Sequence, residues 1–260
     1  KLIKQSQYKE AKKLSKDLIK RNIIDGYYLL SKIYDEQKKP KKSKRILLSG
    51  LKKYPNDFEL LIKFGINQCD LGHYNNSLKS FQKALKIKDV DWDYINLNIA
   101  VLYTRWNKLD LAEEYLNKIK DYTYRIGKLR VKLTILMLKE EYDNIILSYI
   151  KDQNIIDSND ITGEDYEDLA MIYYFYAAAY SKNEYDEMVE DLIRKSLLFD
   201  RTNMNTYRLI REINNEFLPG NKFYRFIFNG EFLGERFKDI NGFIIGYGVL
   251  ANSTEKALDF

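Results

Sequence analysis

The sequence predicts a mostly α protein in which helix-turn-helix repeats stack into an α-solenoid, followed by a small α+β C-terminal unit. Three observations carry that prediction. Only 3 prolines and 12 glycines occur in 260 residues, so little interrupts long helices. A pattern of large and small side chains recurs at intervals of about 34 residues between Tyr27 and Leu197. From Leu218 that pattern gives way to alternating apolar residues and Asn-Gly pairs, which are strand and turn signals.

The repeat is plainest in residues 58–91, FELLIKFGINQCDLGHYNNSLKSFQKALKIKD and onward. Large residues stand at Leu61 and Phe64, with Gly65 beside them. Gly72 and Tyr74 mark a turn, and Ser77, Phe81, Ala84 and Leu85 continue the frame. One period earlier, 24–57 supplies Tyr27, Leu30, Ser31 and Tyr34, then Ser43, Leu47, Gly50, Leu51 and Pro55. One period later, 93–126 supplies Ile99, Ala100, Tyr103, Leu109, Ala112 and Leu116. A unit at 170–203 supplies Tyr173, Tyr176, Ala177 and Tyr180, then Val189, Ile193, Ser196 and Leu197.

Small residues at fixed offsets are what two closely crossing helices require, because only small side chains fit at the crossing. Over residues of about 8–203 the pattern resembles the tetratricopeptide repeat (TPR), which wants large residues at repeat positions 4, 7 and 11, small ones at 8, 20 and 27, and a Gly-x-Tyr turn. The resemblance implies an α-solenoid over 1–218. Residues 127–160 fit the frame poorly and are read as a degenerate unit, 204–217 as a covering helix, and Tyr8, Ala11 and Leu18 as part of a leading second helix. The acidic stretch DQNIIDSNDITGEDYED reads as a loop between units.

The tail, 219–260, reads differently. Pro219-Gly220 breaks the helical pattern, Phe223 to Phe228 alternate, and Asn229-Gly230 predicts a two-residue hairpin turn with a strand returning from Glu231 to Leu233. Asn241-Gly242 predicts another turn before the strand FIIGYGVLA, and Asn252 with Glu255 a capping box. The chain stops inside that last helix, so the unit is read as truncated. Lys1 in place of methionine likewise leaves room for a leader or a further domain upstream.

No catalytic constellation emerges, and the expectation is a non-enzyme without cofactor or metal. His73 is the only histidine and lies four residues after the only cysteine, Cys69, too few ligands for a metal. The loop DSNDITGEDYED lacks the calcium-loop spacing: Gly163 is misplaced and Ile161 stands at a ligand position. A lone cysteine excludes an intrachain disulfide and fits a reducing, cytoplasmic location. GFIIGYGVLA is too short to span a bilayer, so no membrane partner is expected.

Charge is unevenly spread. Residues 1–55 hold 17 Lys and Arg against 5 Asp and Glu, and residues 131–217 hold 9 against 18. The sharpest cluster is Lys38, Lys39, Lys41, Lys42, Lys44 and Arg45, read first as a solvated turn and second as a phosphate contact. Positions that line the concave groove in the resembled family fall on Tyr28 and Lys32, Ile62, Ile66 and Cys69, Tyr94, Leu97 and Val101, and Met171, Tyr174 and Ala178. Tyr173, Tyr176 and Tyr180 fall instead on positions that pack between helices.

An apolar, aromatic groove suits an amphipathic helix or an extended peptide. The expected function is therefore a non-catalytic scaffold or adaptor for a protein or peptide, acidic if the basic front steers it. The groove filled by the protein's own tail is the competing expectation. Alternatives are a nucleic-acid-associated regulator with weak, sequence-blind contact, and an inhibitor or immunity-type regulator of another protein. Charge asymmetry also allows self-association.

Overall fold

The computed structural model describes residues 5–157, 160–183, 186–213, 222–230 and 243–251. Helices α1 (Gln5–Lys20), α2 (Asp25–Glu36), α3 (Pro40–Lys53), α4 (Phe58–Asp70), α5 (Tyr74–Ala84) and α6 (Trp92–Arg105) follow one another. They continue as α7 (Leu109–Asn117), α8 (Arg125–Leu138), α9 (Tyr142–Ile156), α10 (Tyr166–Lys182), α11 (Asp186–Phe199) and α12 (Met204–Ile213). A short 3-10 turn, Tyr122–Tyr124, precedes α8.

Local chemistry sets the helix ends. Asp57 and Asp91 cap α4 and α6 by accepting from the Leu60 and Tyr94 amides at 2.8 and 2.9 Å, satisfying donors that a helix start leaves open. Pro40 opens α3, where a missing amide hydrogen is harmless. Five turns close alike. Asn22, Lys38, Gly72, Asn107 and Glu140 adopt left-handed φ of 62°, 54°, 74°, 57° and 58°. In each, the next residue's amide donates back to a helix carbonyl five residues earlier: Ile23 to Leu18, Lys39 to Tyr34, His73 to Gln68, Lys108 to Tyr103, Glu141 to Leu136. This is the Schellman ending, and only one of the five uses glycine. The fifth lies between α8 and α9, so the stretch that fits the repeat frame worst has the same turn as its neighbours.

Small residues permit the crossings. A Cβ on Gly65 would lie 2.5 Å from the Phe81 ring, and Ser77 Oγ donates to the Gly65 carbonyl at 2.7 Å. Ser196 Oγ does the same to Ala170 at 2.8 Å. At the front, a Cβ on Gly26 would strike the α1 backbone at Ser15 and Ile19, 2.7 Å away.

Among the described residues, the apolar stripes gather into three buried clusters along the stack. Ala177 and Tyr176 are fully buried and Tyr173 is buried, while Tyr180 is half-buried. Tyr149 of α9 meets Tyr176 edge-on at 4.8 Å and Tyr180 at 5.9 Å. Tyr174 is also half-buried.

In the tail, β1 (Lys222–Gly230) and β2 (Phe243–Ala251) pair antiparallel, with Phe223 opposite Leu250 and Asn229 opposite Ile244. This corrects the expected two-residue turn at Asn229-Gly230. Both residues are rungs of the ladder, and β1 takes FIIGYGVLA as its partner, a run whose bulky and β-branched residues favour strand pairing. The strand expected at Glu231 to Leu233, the Pro219-Gly220 break, the Asn241-Gly242 turn and the capped helix after Asn252 lie outside the described residues, as do 214–217 of the covering helix. Among the described residues, no helix is long and apolar enough to cross a membrane.

Candidate interaction surface

Successive first helices touch: α4 meets α6, α6 meets α8, α8 meets α10, and α10 meets α12. Among the described residues, no comparable contact joins α3, α5, α7, α9 and α11 to one another. The layer whose helices lie closer together is the inside of a curved stack, so the first helices form its inner face.

The residues expected on that face divide into three groups. Lys32 is exposed, and Ile66 is 36% exposed, a large apolar side chain open to solvent. Tyr28, Tyr94, Leu97, Val101, Met171 and Tyr174 are half-buried. Ile62, Cys69 and Ala178 are buried at 2%, 6% and 6%, a correction to their expected place in an open groove. Ile62 and Cys69 belong to the same core as Ile95 and Ile99, because α6 closes over that side of α4.

Most of the half-buried group ties one repeat to the next. The Tyr28 hydroxyl donates to Asp57 Oδ1 at 2.7 Å, on the cap of α4. Burial pushes its pKa well above the usual phenol range, and the Asp57 carboxylate adds to the shift. Tyr94 packs on Tyr124 at 6.1 Å. Leu97 lies over α8 where Gly127 leaves room; a Cβ there would sit 3.0 Å from Leu97 Cδ2. The Met171 sulfur receives Asn203 and Asn205 side-chain amides at 3.7 and 3.4 Å. Tyr174 is pushed upward by burial and then by Glu212 of α12.

Ion pairs that a repeat frame does not reveal cross the same seams. Arg105 of α6 bonds Asp70 of α4, and Arg130 Nε of α8 is 2.6 Å from Asp168 of α10. Burial raises the Asp168 carboxyl against the pull of Arg130.

The basic cluster gains partners from α1. Lys38, Lys39, Lys41, Lys42 and Arg45 are exposed and Lys44 is half-buried. Lys12 lies over the Tyr34 ring at 5.1 Å and Lys42 approaches it at 6.0 Å. Burial lowers the Lys12 pKa, and Lys39, Lys42 and Lys16 lower it further. Sequence reasoning missed Lys12 and Lys16; their spacing of four on a helix was the available signal. Lys44 departs from the others, facing Leu48, Lys79 and Lys83 between α3 and α5. His73 is exposed and Cys69 buried, and among the described residues no three His, Cys, Asp or Glu side chains converge as metal ligands would.

The repeated helix pairs, the shared turn and the continuous inner row define an α-solenoid of helix-turn-helix repeats. Tetratricopeptide repeat protein 8 of Caenorhabditis elegans is 22% identical over 162 residues, 62% of this chain and 32% of its own length. The crystal structure of the APC/C hetero-tetramer Cut9-Hcn1 superposes with a TM-score of 0.64 at 15% identity, covering 82% of this chain and 41% of that one. A tetratricopeptide repeat protein from Parabacteroides merdae aligns at 14% identity with a TM-score of 0.46, over 80% of this chain and 99% of that one. No protein-family profile matches the sequence. The chain has the fold of a tetratricopeptide-like α-solenoid, and it spans about a third of the length of the curated relative it matches.

Proposed function

We propose that the protein is a non-catalytic interaction scaffold whose partner, a protein or peptide segment, lies along the inner row of first helices. The observation that supports this most is Ile66 of α4, open to solvent on the row of first helices that also carries half-buried Leu97 and Val101 on α6 and Met171 on α10. We read these apolar side chains as points of a strip along that row. Because Tyr28, Tyr94 and Tyr174 also brace neighbouring repeats, the partner meets their edges, while Ile66 presents about a third of its surface. The seam ion pairs set polar limits to the strip and favour a partner with matching polar groups.

The experiment begins with capture of partners from native lysate, identified by mass spectrometry, followed by titration. Ile66→Asp should weaken partner binding about tenfold or more, since a buried aliphatic anchor typically contributes about 1.5–3 kcal/mol, while leaving the melting temperature nearly unchanged. Tyr174→Ala should lower both affinity and melting temperature. Unaltered affinity in Ile66→Asp would move the partner surface off the inner row.

A second contact is favoured by the basic cluster. Among the described residues Lys38, Lys39, Lys41, Lys42, Lys44 and Arg45 make no ion pair, and Lys12 and Lys16 add to the same field. An acidic stretch of the partner is drawn to this end of the stack, which orients the segment along the row.

A further inference from the structure

A cavity of about 490 Å³ opens between α7, α8 and α9. Its origin is local. Helix α7 spans only 9 residues, and the chain after it is held to α6 by the Lys120 and Asp121 amides, which donate to Asp93 Oδ2 at 2.9 and 2.7 Å. Only the 3-10 turn Tyr122–Tyr124 stands before the start of α8. The floor is apolar, with Leu116, Leu129 and Ile135 among its buried residues.

The charged groups at its wall are incompletely satisfied. Asp152 is only 3% exposed. Its Oδ2 accepts from the Tyr176 hydroxyl at 2.8 Å, while its Oδ1 accepts no hydrogen bond among the described residues. Lys132 Nζ stands 4.0 Å from Asp152, beyond hydrogen-bond reach, and is half exposed. Lys128 Nζ uses one N–H on the Ile119 carbonyl at 2.9 Å, and an ammonium has three. The other charges at the rim are engaged, Glu113 by Lys139 at 2.7 Å and Arg125 by Asp160.

A lone anion in this cavity would face the Asp152 carboxylate, and a lone cation would face Lys128 and Lys132. A molecule with both charges a few ångströms apart, and an apolar remainder, meets neither objection. Its ammonium donates to Asp152, its carboxylate accepts from Lys132 and Lys128, and its side chain lies on the floor. The close approach of Lys132 to Asp152 suits charges separated by a single carbon better than the distant ends of a peptide. We propose that the cavity between α7, α8 and α9 binds a free apolar α-amino acid with a large side chain. This site is independent of the inner-row reading, and either stands if the other fails.

The test is calorimetric titration of the full chain with L-phenylalanine and L-leucine. N-acetyl-L-phenylalanine, which lacks the ammonium, and L-phenylalaninamide, which lacks the carboxylate, serve as paired probes. Saturable binding of L-phenylalanine is expected, with each derivative roughly tenfold weaker, as befits loss of a charge-assisted contact in a partly dry site. Lys132→Gln should weaken the preference for the carboxylate several-fold without lowering the melting temperature, since among the described residues Lys132 makes no hydrogen bond and only approaches Asp152 at 4.0 Å. Because Asp152→Asn disturbs the Tyr176 bond as well, the N-acetyl probe is the decisive arm for the ammonium contact. N-acetyl-L-phenylalanine binding as tightly as L-phenylalanine, or no saturable binding of either amino acid at about 10 millimolar, a weakness of under 3 kcal/mol, overturns the proposal.

Discussion

Glu140 ends α8 with φ of 58°, the conformation that the equivalent turn after α4 assigns to Gly72. A side chain in this region is disfavoured by roughly 1–2 kcal/mol, and glycine gives back part of that through its greater freedom when unfolded. Glu140→Gly should therefore stabilise the fold by about 0.5–1 kcal/mol, read from the urea midpoint at constant slope. A loss of stability would mean that the carboxylate makes a contact worth more than the backbone strain. Tyrosines supply a second residue-level expectation. Tyr173 is 4% exposed, and burial, then Asp157, pushes its pKa up to about 12; burial and Asp152 also raise Tyr176. A phenol whose folded pKa exceeds its unfolded value stabilises the fold fully below the unfolded pKa of about 10. That contribution is lost as pH rises from there through the folded pKa, at about 1.4 kcal/mol per pH unit and group. Unfolding free energy measured between pH 9 and 12 should fall steeply, and less steeply in Tyr173→Phe.

Between elements, the decisive quantity is the distance of closest approach. Helices α4 and α5 cross where Gly65 meets Phe81, and the ring is 1% exposed with nowhere to turn. Gly65→Ala should cost about 1–3 kcal/mol by overpacking, although alanine is the better helix former. Gly163 has nothing within 4 Å of a built Cβ, so Gly163→Ala should leave the melting temperature almost unchanged. Equal melting of the two variants would show that the α4–α5 crossing relaxes easily. The same distance logic explains why α6 over α4 buries Ile62, and why Gly127 receives Leu97. Inner-face side chains are thus graded by how closely the next helix lies, from buried Ile62 through Leu97 to open Ile66.

At the scale of the whole molecule, charge separates along the chain. Seventeen cations in residues 1–55 oppose 18 acids in residues 131–217, and α1 folds its lysines onto those that follow α2. A field of this kind acts mainly on association rate and fades with salt, since the Debye length is about 8 Å at physiological ionic strength. Replacing Lys38, Lys39, Lys41, Lys42, Lys44 and Arg45 by glutamine should slow partner association and flatten its salt dependence while hardly changing dissociation. Stopped-flow or surface-based kinetics at several salt concentrations measures this. Tight oligonucleotide binding at physiological salt, lost in that variant, would transfer the cluster to nucleic acid instead.

What the sequence determined alone is the periodic part: paired helices, their small crossing residues, and the separation of Tyr176 and Ala177 from Tyr174. These follow from local spacing, because a 3.6-residue period states which face of a helix is apolar whatever lies opposite. The tertiary structure decided what covers each face. It alone closed α6 over Ile62, set Tyr28 on the cap of α4, joined Lys12 to Lys42 around Tyr34, and left a cavity behind the short α7. The turn at Glu140 and the partner of β1 were hidden for the same reason. A residue's type does not report its φ, and Asn229-Gly230 makes a turn only when no longer ladder claims it. Those outcomes depend on neighbours distant in the chain, and their energies exceed the local preferences from which a sequence is read.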